Sequence, residues 1–216
     1  MIVSRLSPFR SLTLAATAAA SLAVAAPAAA EPSVQLTLGV TQVDLSGQFV
    51  AALGSLGITP DNVLPGALFT SSRGARVAFP IPTGELDAAG PKLEVLHSGG
   101  LTLTFGSTRV ALTSFIIENL GGRLQLTGVV KANDSIVGRI PLFDIALTQA
   151  PTLSEPSKRG FFGLQRSAQL SIKGAEVTLA APAATALNSV FGVSAFTAGF
   201  PIGVAEVKAR VSDLDR

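Results

Sequence analysis

A two-residue alternation of apolar and polar side chains runs through most of this chain and confines it to a largely β fold. Leu101-Thr102-Leu103-Thr104-Phe105 is its cleanest stretch. Side chains two apart share one face of a strand, so this pattern makes a strand with one buried face. The same pattern predicts strands over 33–38, 76–81, 92–97, 108–118, 123–130 and 135–148, and a last one over 203–211. Gly121-Gly122 and Asn133-Asp134 punctuate the series, as the turns of an antiparallel meander would. Gly99-Gly100 leaves two readings open, a hairpin or one bulged strand.

Two segments follow a helical period instead. Leu45, Phe49, Leu53 and Leu56 fall on one helix face, and Gly57 and Pro60 stop the run. Pro182 and Gly192 bracket a second short helix over 182–191. The stretch 150–160, with two prolines and mixed charge, predicts an exposed loop between strands. The expected class is all-β, mainly antiparallel, with two short helices.

The first thirty residues have a different composition. Arg5 and Arg10 precede an uncharged apolar run, Leu12 to Ala26, and Ala28-Ala29-Ala30 supplies small residues ahead of Glu31-Pro32. This is the pattern of a cleavable signal peptide over 1–30, followed by one domain over 31–216. The run is shorter than the ~20 residues of a spanning helix. The expectation is export to the periplasm, medium or cell surface, with cleavage near Ala30, no membrane span in the mature chain and an envelope partner as an open role.

Charge and cysteine narrow the function classes. The chain holds 16 basic and 14 acidic residues, and both excess cations, Arg5 and Arg10, lie in the leader. The mature domain is therefore neutral and offers no electrostatic footprint for nucleic acid. With no cysteine, stability rests on packing and strand pairing. No serine sits in a G-x-S-x-G elbow, and there is no H-E-x-x-H or phosphate-binding glycine loop. The reading is a non-enzymatic protein. A membrane barrel is disfavoured because no tyrosine or tryptophan exists to form aromatic girdles.

Three stretches together resemble one family: "SGQFVAAL" over 46–53, "VAFPIPTGELD" running on to "LEVLHSGGLTLTFGSTRVALTSF" over 77–115, and "ATALNSVFGVSAFTAGFPIGVAEVKARV" over 184–211. In that order they resemble the HtaA-like domain of bacterial exported haem-uptake proteins. The resemblance implies a β-sandwich-like fold with short helices, and haem ligated by a tyrosine of the early helix. This chain has no tyrosine, and Ala52 stands in that place. The fold therefore carries over more safely than the ligand. Haem or another apolar ligand remains the candidate cofactor or partner, and a structural or adhesive envelope role without a small-molecule ligand is the alternative.

Three residues stand out as ligand-binding candidates. His97, the sole histidine, is also the one candidate metal ligand, since haem iron accepts an imidazole. It precedes Ser98-Gly99-Gly100, where backbone can approach a flat ligand closely. The plainer reading is a turn histidine that is partly exposed, or one bonded to nearby backbone. Phe161 and Phe162 follow the polar loop and point to opposite faces of a strand, so one can be exposed to a ligand. Lys158, Arg159 and Arg166 flank that pair and read as a solvated loop or as partners for an acidic group. Glu85 and Asp87 share a strand face, and a solvated edge is their favoured reading over acid–base work or calcium.

Overall fold

A computed structural model describes residues 33–72, 74–87, 93–154, 157–158 and 166–212. The described residues form thirteen strands and two helices, all in one antiparallel sheet system. In chain order these are β1 (Ser33–Leu45), α1 (Gly47–Leu56), β2 (Thr59–Val63), β3 (Ala67–Ser71), β4 (Gly74–Asp87), β5 (Leu93–Leu96), β6 (Gly100–Phe105) and β7 (Thr108–Leu120). Then follow β8 (Arg123–Ala132), β9 (Ser135–Leu147), β10 (Thr152–Leu153), β11 (Ser157–Lys158), β12 (Arg166–Leu179), α2 (Ala181–Phe191) and β13 (Pro201–Ser212).

Eight strands close on themselves in the order β7-β5-β4-β1-β13-β12-β9-β8, with β8 pairing back to β7. The result is a flattened, barrel-like sandwich without a free edge around the ring. The all-β expectation holds. The meander is partial: β6 to β9 follow one another as hairpins, whereas β1 lies between β4 and β13, which are distant in sequence. Strands β5 and β6 pair with successive parts of one edge of β7, so Gly99-Gly100 marks a bulged strand and not a hairpin. The predicted loop over 150–160 is corrected in part, because β10 and β11 both pair with β12.

The wall is polar outside and apolar inside. Gln35, Glu85, Glu94, Glu118, Gln125 and Asp144 are direct cross-strand partners in series and form a belt around the outer face. Inside are two apolar clusters. One, around Leu36, Ile81, Val95, Ile117 and Val211, fills one end. The larger, around Phe79, Phe115, Leu142, Leu179 and Phe196, fills the other and takes in both helices. Among the described residues, no helix is long and apolar enough to cross a membrane.

Both helices sit at one end of the barrel. Leu45 pairs with Gly203 and Thr178 with Pro201, so α1 and α2 leave and rejoin the wall at the same rim. Ser46 caps α1 by accepting from the Phe49 N–H at 3.0 Å, and its hydroxyl donates to the Pro201 carbonyl at 2.7 Å. The Ser46 N–H donates to the Ile202 carbonyl at 2.7 Å. One residue thus starts the helix and ties it to β13, which seats Phe49 and Leu53 in the core. Ser46→Ala should cost about 1–2 kcal/mol, read as a lower urea midpoint with an unchanged slope.

Candidate functional site

The larger cluster encloses a cavity of about 80 Å³. Its wall draws on α1 (Phe49), α2 (Leu187, Val190) and the inner faces of most strands, and presents no polar atom to the space. Among the described residues that line it, none is charged, and only Thr41 and His97 carry polar side chains.

Those two meet because of strand irregularities. In β1 Leu36 faces in; Leu38 then takes a left-handed backbone (φ +48°), the register with β13 slips between Thr37 and Gly39, and Thr41 and Val43 face in above it. The slip leaves Leu38 in solvent, 72 % exposed. Gly39 permits it, since a Cβ there would lie 2.7 Å from the Lys208 carbonyl oxygen. On the facing wall, the His97 N–H donates to the Phe115 carbonyl and the Ser98 N–H to the Pro80 carbonyl, each at 2.9 Å. This short bridge stitches β7 to β4 and turns the imidazole inward.

Nε2 of His97 lies 2.7 Å from the Thr41 hydroxyl. Nδ1 has no partner in hydrogen-bonding geometry. The residue is only 5 % exposed. Burial pushes its pKa down from the ordinary 6.5 to about 4, against the carbonyls of Val95 and Phe115, which favour the proton. At neutral pH the ring is uncharged.

His97 is thus a core histidine and not a partly exposed one, with Nε2 bonded to the Thr41 hydroxyl and the backbone carbonyls of Val95 and Phe115 acting on its ring. The close approach expected beside Gly99-Gly100 exists, but the chain itself fills it. A Cβ on Gly99 would sit 2.2 Å from the Gly66 nitrogen. Phe161, Phe162 and Arg159 lie outside the described residues. Lys158 and Arg166 pair with each other in the β11–β12 ladder. Glu85 is on the outer belt opposite Glu94, and no group of three or more acidic, histidine or cysteine residues able to hold a metal occurs among the described residues. The apolar cavity itself escaped the sequence reading. Its signal lies in inward positions scattered over eight strands and both helices.

No protein-family model matches the chain, and no curated protein matches it. Solved structures do. The C-terminal domain of HtaA from Corynebacterium glutamicum superposes with a TM-score of 0.58 at 15 % identity, covering 83 % of this chain and 99 % of that domain. The fold is HtaA-like. The heme binding protein HtaB of the same organism is also similar, with a TM-score of 0.43 at 10 % identity, 85 % of this chain and 96 % of that one.

The resemblance read in the sequence implies haem as a ligand, and the described residues do not fit it. Helix α1, where the resemblance implies the ligating side chain, holds no tyrosine, histidine, cysteine or methionine. Ala52 occupies the matching position, half-buried on that helix. The one imidazole is enclosed and bonded to Thr41. The cavity is also well below the roughly 300–1,000 Å³ usual for a cofactor-sized pocket.

Proposed function

We propose that this chain is an exported, non-enzymatic bacterial domain that binds a small apolar ligand inside its barrel, at the cell envelope or beyond it. The observation that carries the reading is the uncharged cavity beneath α1 and α2. Well-packed cores leave few voids, and empty ones with apolar walls take up small apolar guests. The leader-like residues 1–30 support export. The HtaA-like fold supports a binding role of some kind, but the helix that would hold iron lacks the ligand.

Two titrations of the purified protein test this. Dissolved xenon, followed by its NMR shift, should show saturable binding and raise the melting temperature. Haemin, followed at the Soret band, should give no saturable shift at one equivalent. A silent xenon titration would remove the cavity reading and put a structural or adhesive envelope role first. A one-equivalent Soret shift would make haem the ligand instead.

A further inference from the structure

We infer that strand β3 is an interface between two copies of this chain, which pair edge to edge about a twofold axis through Phe69. The inference is independent of the cavity, because no residue of β3 is among the described residues that line it.

The edge is open. β3 pairs with β4 from Ala67↔Ala78 to Ser71↔Gly74 without a register shift, and with no other strand among the described residues. β2 precedes it but pairs with β6, and the turn between them is closed by the Gly66 N–H donating to the Val63 carbonyl at 2.9 Å. Ser71 and Gly74 flank a two-residue loop, so they form a hydrogen-bonded pair of the ladder. By alternation Ala67 and Phe69 also bond to β4, and Leu68 and Thr70 turn their backbone N–H and C=O groups to the free edge. Those groups have no partner among the described residues.

The edge is also unprotected. Sheet edges usually carry a charge, a proline or a bulge, or are very short, and these keep other strands away. β2 has Pro60 and Asp61, and β10 and β11 are two residues each. β3 is Ala-Leu-Phe-Thr-Ser, uncharged and regular, and its Phe69 is 57 % exposed.

Self-complementarity identifies the occupant. With two copies antiparallel about Phe69, Leu68 of one faces Thr70 of the other on each side of the axis. Both residues present free backbone groups, so these are the hydrogen-bonded pairs. Phe69 then meets Phe69 of the second copy in the non-hydrogen-bonded position, where side chains come closest. Charge does not oppose the pairing. Residues 31–216 hold 14 basic and 14 acidic side chains, and Arg76, the neighbour of Phe69 on β4, is bonded to Asp44. A five-residue edge is a small interface, so the dimer is weak and concentration-dependent.

Sedimentation of the purified protein from about 10 μM to about 1 mM, a range that spans micromolar to millimolar dissociation constants, should show monomer giving way to dimer. Phe69→Lys sets like charges face to face at an exposed position, and should keep the protein monomeric at the highest concentration with its melting temperature little changed. The chain has no cysteine of its own, so one introduced thiol reports the register. In Phe69→Cys the two thiols lie across the axis, with Cα atoms about 4.5 Å apart and within reach of a disulfide. Under mild oxidation this variant should form a covalent dimer about tenfold faster than Ile136→Cys, whose site on β9 is 72 % exposed. A monomer throughout the range would overturn the pairing of two copies and leave the edge to an extended segment of another protein. A dimer that survives Phe69→Lys, or one that links Ile136→Cys as fast as Phe69→Cys, would put the interface elsewhere and overturn it equally.

Discussion

Acid should destabilise this protein through one side chain. Between pH 6.5 and pH 4 the folded state is expected to lose up to about 3 kcal/mol, the worth of moving one pKa from 6.5 to about 4. The sign follows from which state binds the proton. The folded imidazole has the lower pKa, so throughout this window the unfolded chain holds more protons. Stability is then fully present above pH 6.5, falls as pH drops through the window, and changes no further on this account below 4. Urea unfolding at half-unit pH steps measures it. His97→Gln, which cannot take the proton, should start less stable at pH 7.5 but stay flat across the window. Parallel curves for the two proteins would mean that the ring is not held neutral in the folded core. For a domain whose total stability is of order 5–15 kcal/mol, the loss is a large share.

How much of this could be read in advance differs between elements, for physical reasons. Strands β6 to β9 were legible as strands because stretches of alternation fill them and glycine or asparagine marks their turns, and both helices because apolar residues recur at helical spacing between glycine and proline boundaries. Strand β2 was not, since Thr59-Pro60-Asp61-Asn62 reads as a turn. Among the described residues it pairs only with β6, and an edge strand tolerates a proline that a central one would not. Strand β12 was missed for another reason. Gly174 takes φ +66° and the register slips between Ile172 and Ala175, so its inward residues, Leu170 before the slip and Ala175, Val177 and Leu179 after it, change parity partway. The same device hides the site. In β7 Val110 and Leu112 face in, Ser114 turns left-handed (φ +53°), and Phe115 and Ile117 face in beyond it. A strict alternation through β1 and β7 places part of the cavity wall in solvent. His97 could be singled out as the lone histidine, but its partner Thr41 depends on the slip at Leu38, which no residue type announces. The missing tyrosine was plain in the composition, and it weighs against haem in the sequence and in the structure alike.

Phe115→Ala should be the most damaging single truncation of the cavity wall, and also the most informative. Phe115 is 2 % exposed and meets Phe79 edge-on, with ring centroids 5.0 Å apart and planes at 83°. Removing it gives up the burial of a large side chain, the aromatic contact, and the packing of every neighbour left facing the void. Phenylalanine-to-alanine changes in cores cost about 3–5 kcal/mol. The rigid ring of strands limits collapse into the space, which argues for the upper part of that range. The backbone link from the His97 N–H to the Phe115 carbonyl is untouched, so the bridge between β7 and β4 should survive. The variant is therefore expected to fold with a much lower urea midpoint and with a cavity that joins the existing one. A larger void should then accept a guest the unaltered protein excludes. Benzene at a hundred times its dissociation constant should return about 2.7 kcal/mol to the variant and nothing measurable to the parent. Loss of stability without rescue would mean that the wall collapses inward. The inner space would then be ordinary packing slack, and an apolar ligand would have to find its place elsewhere on the HtaA-like frame.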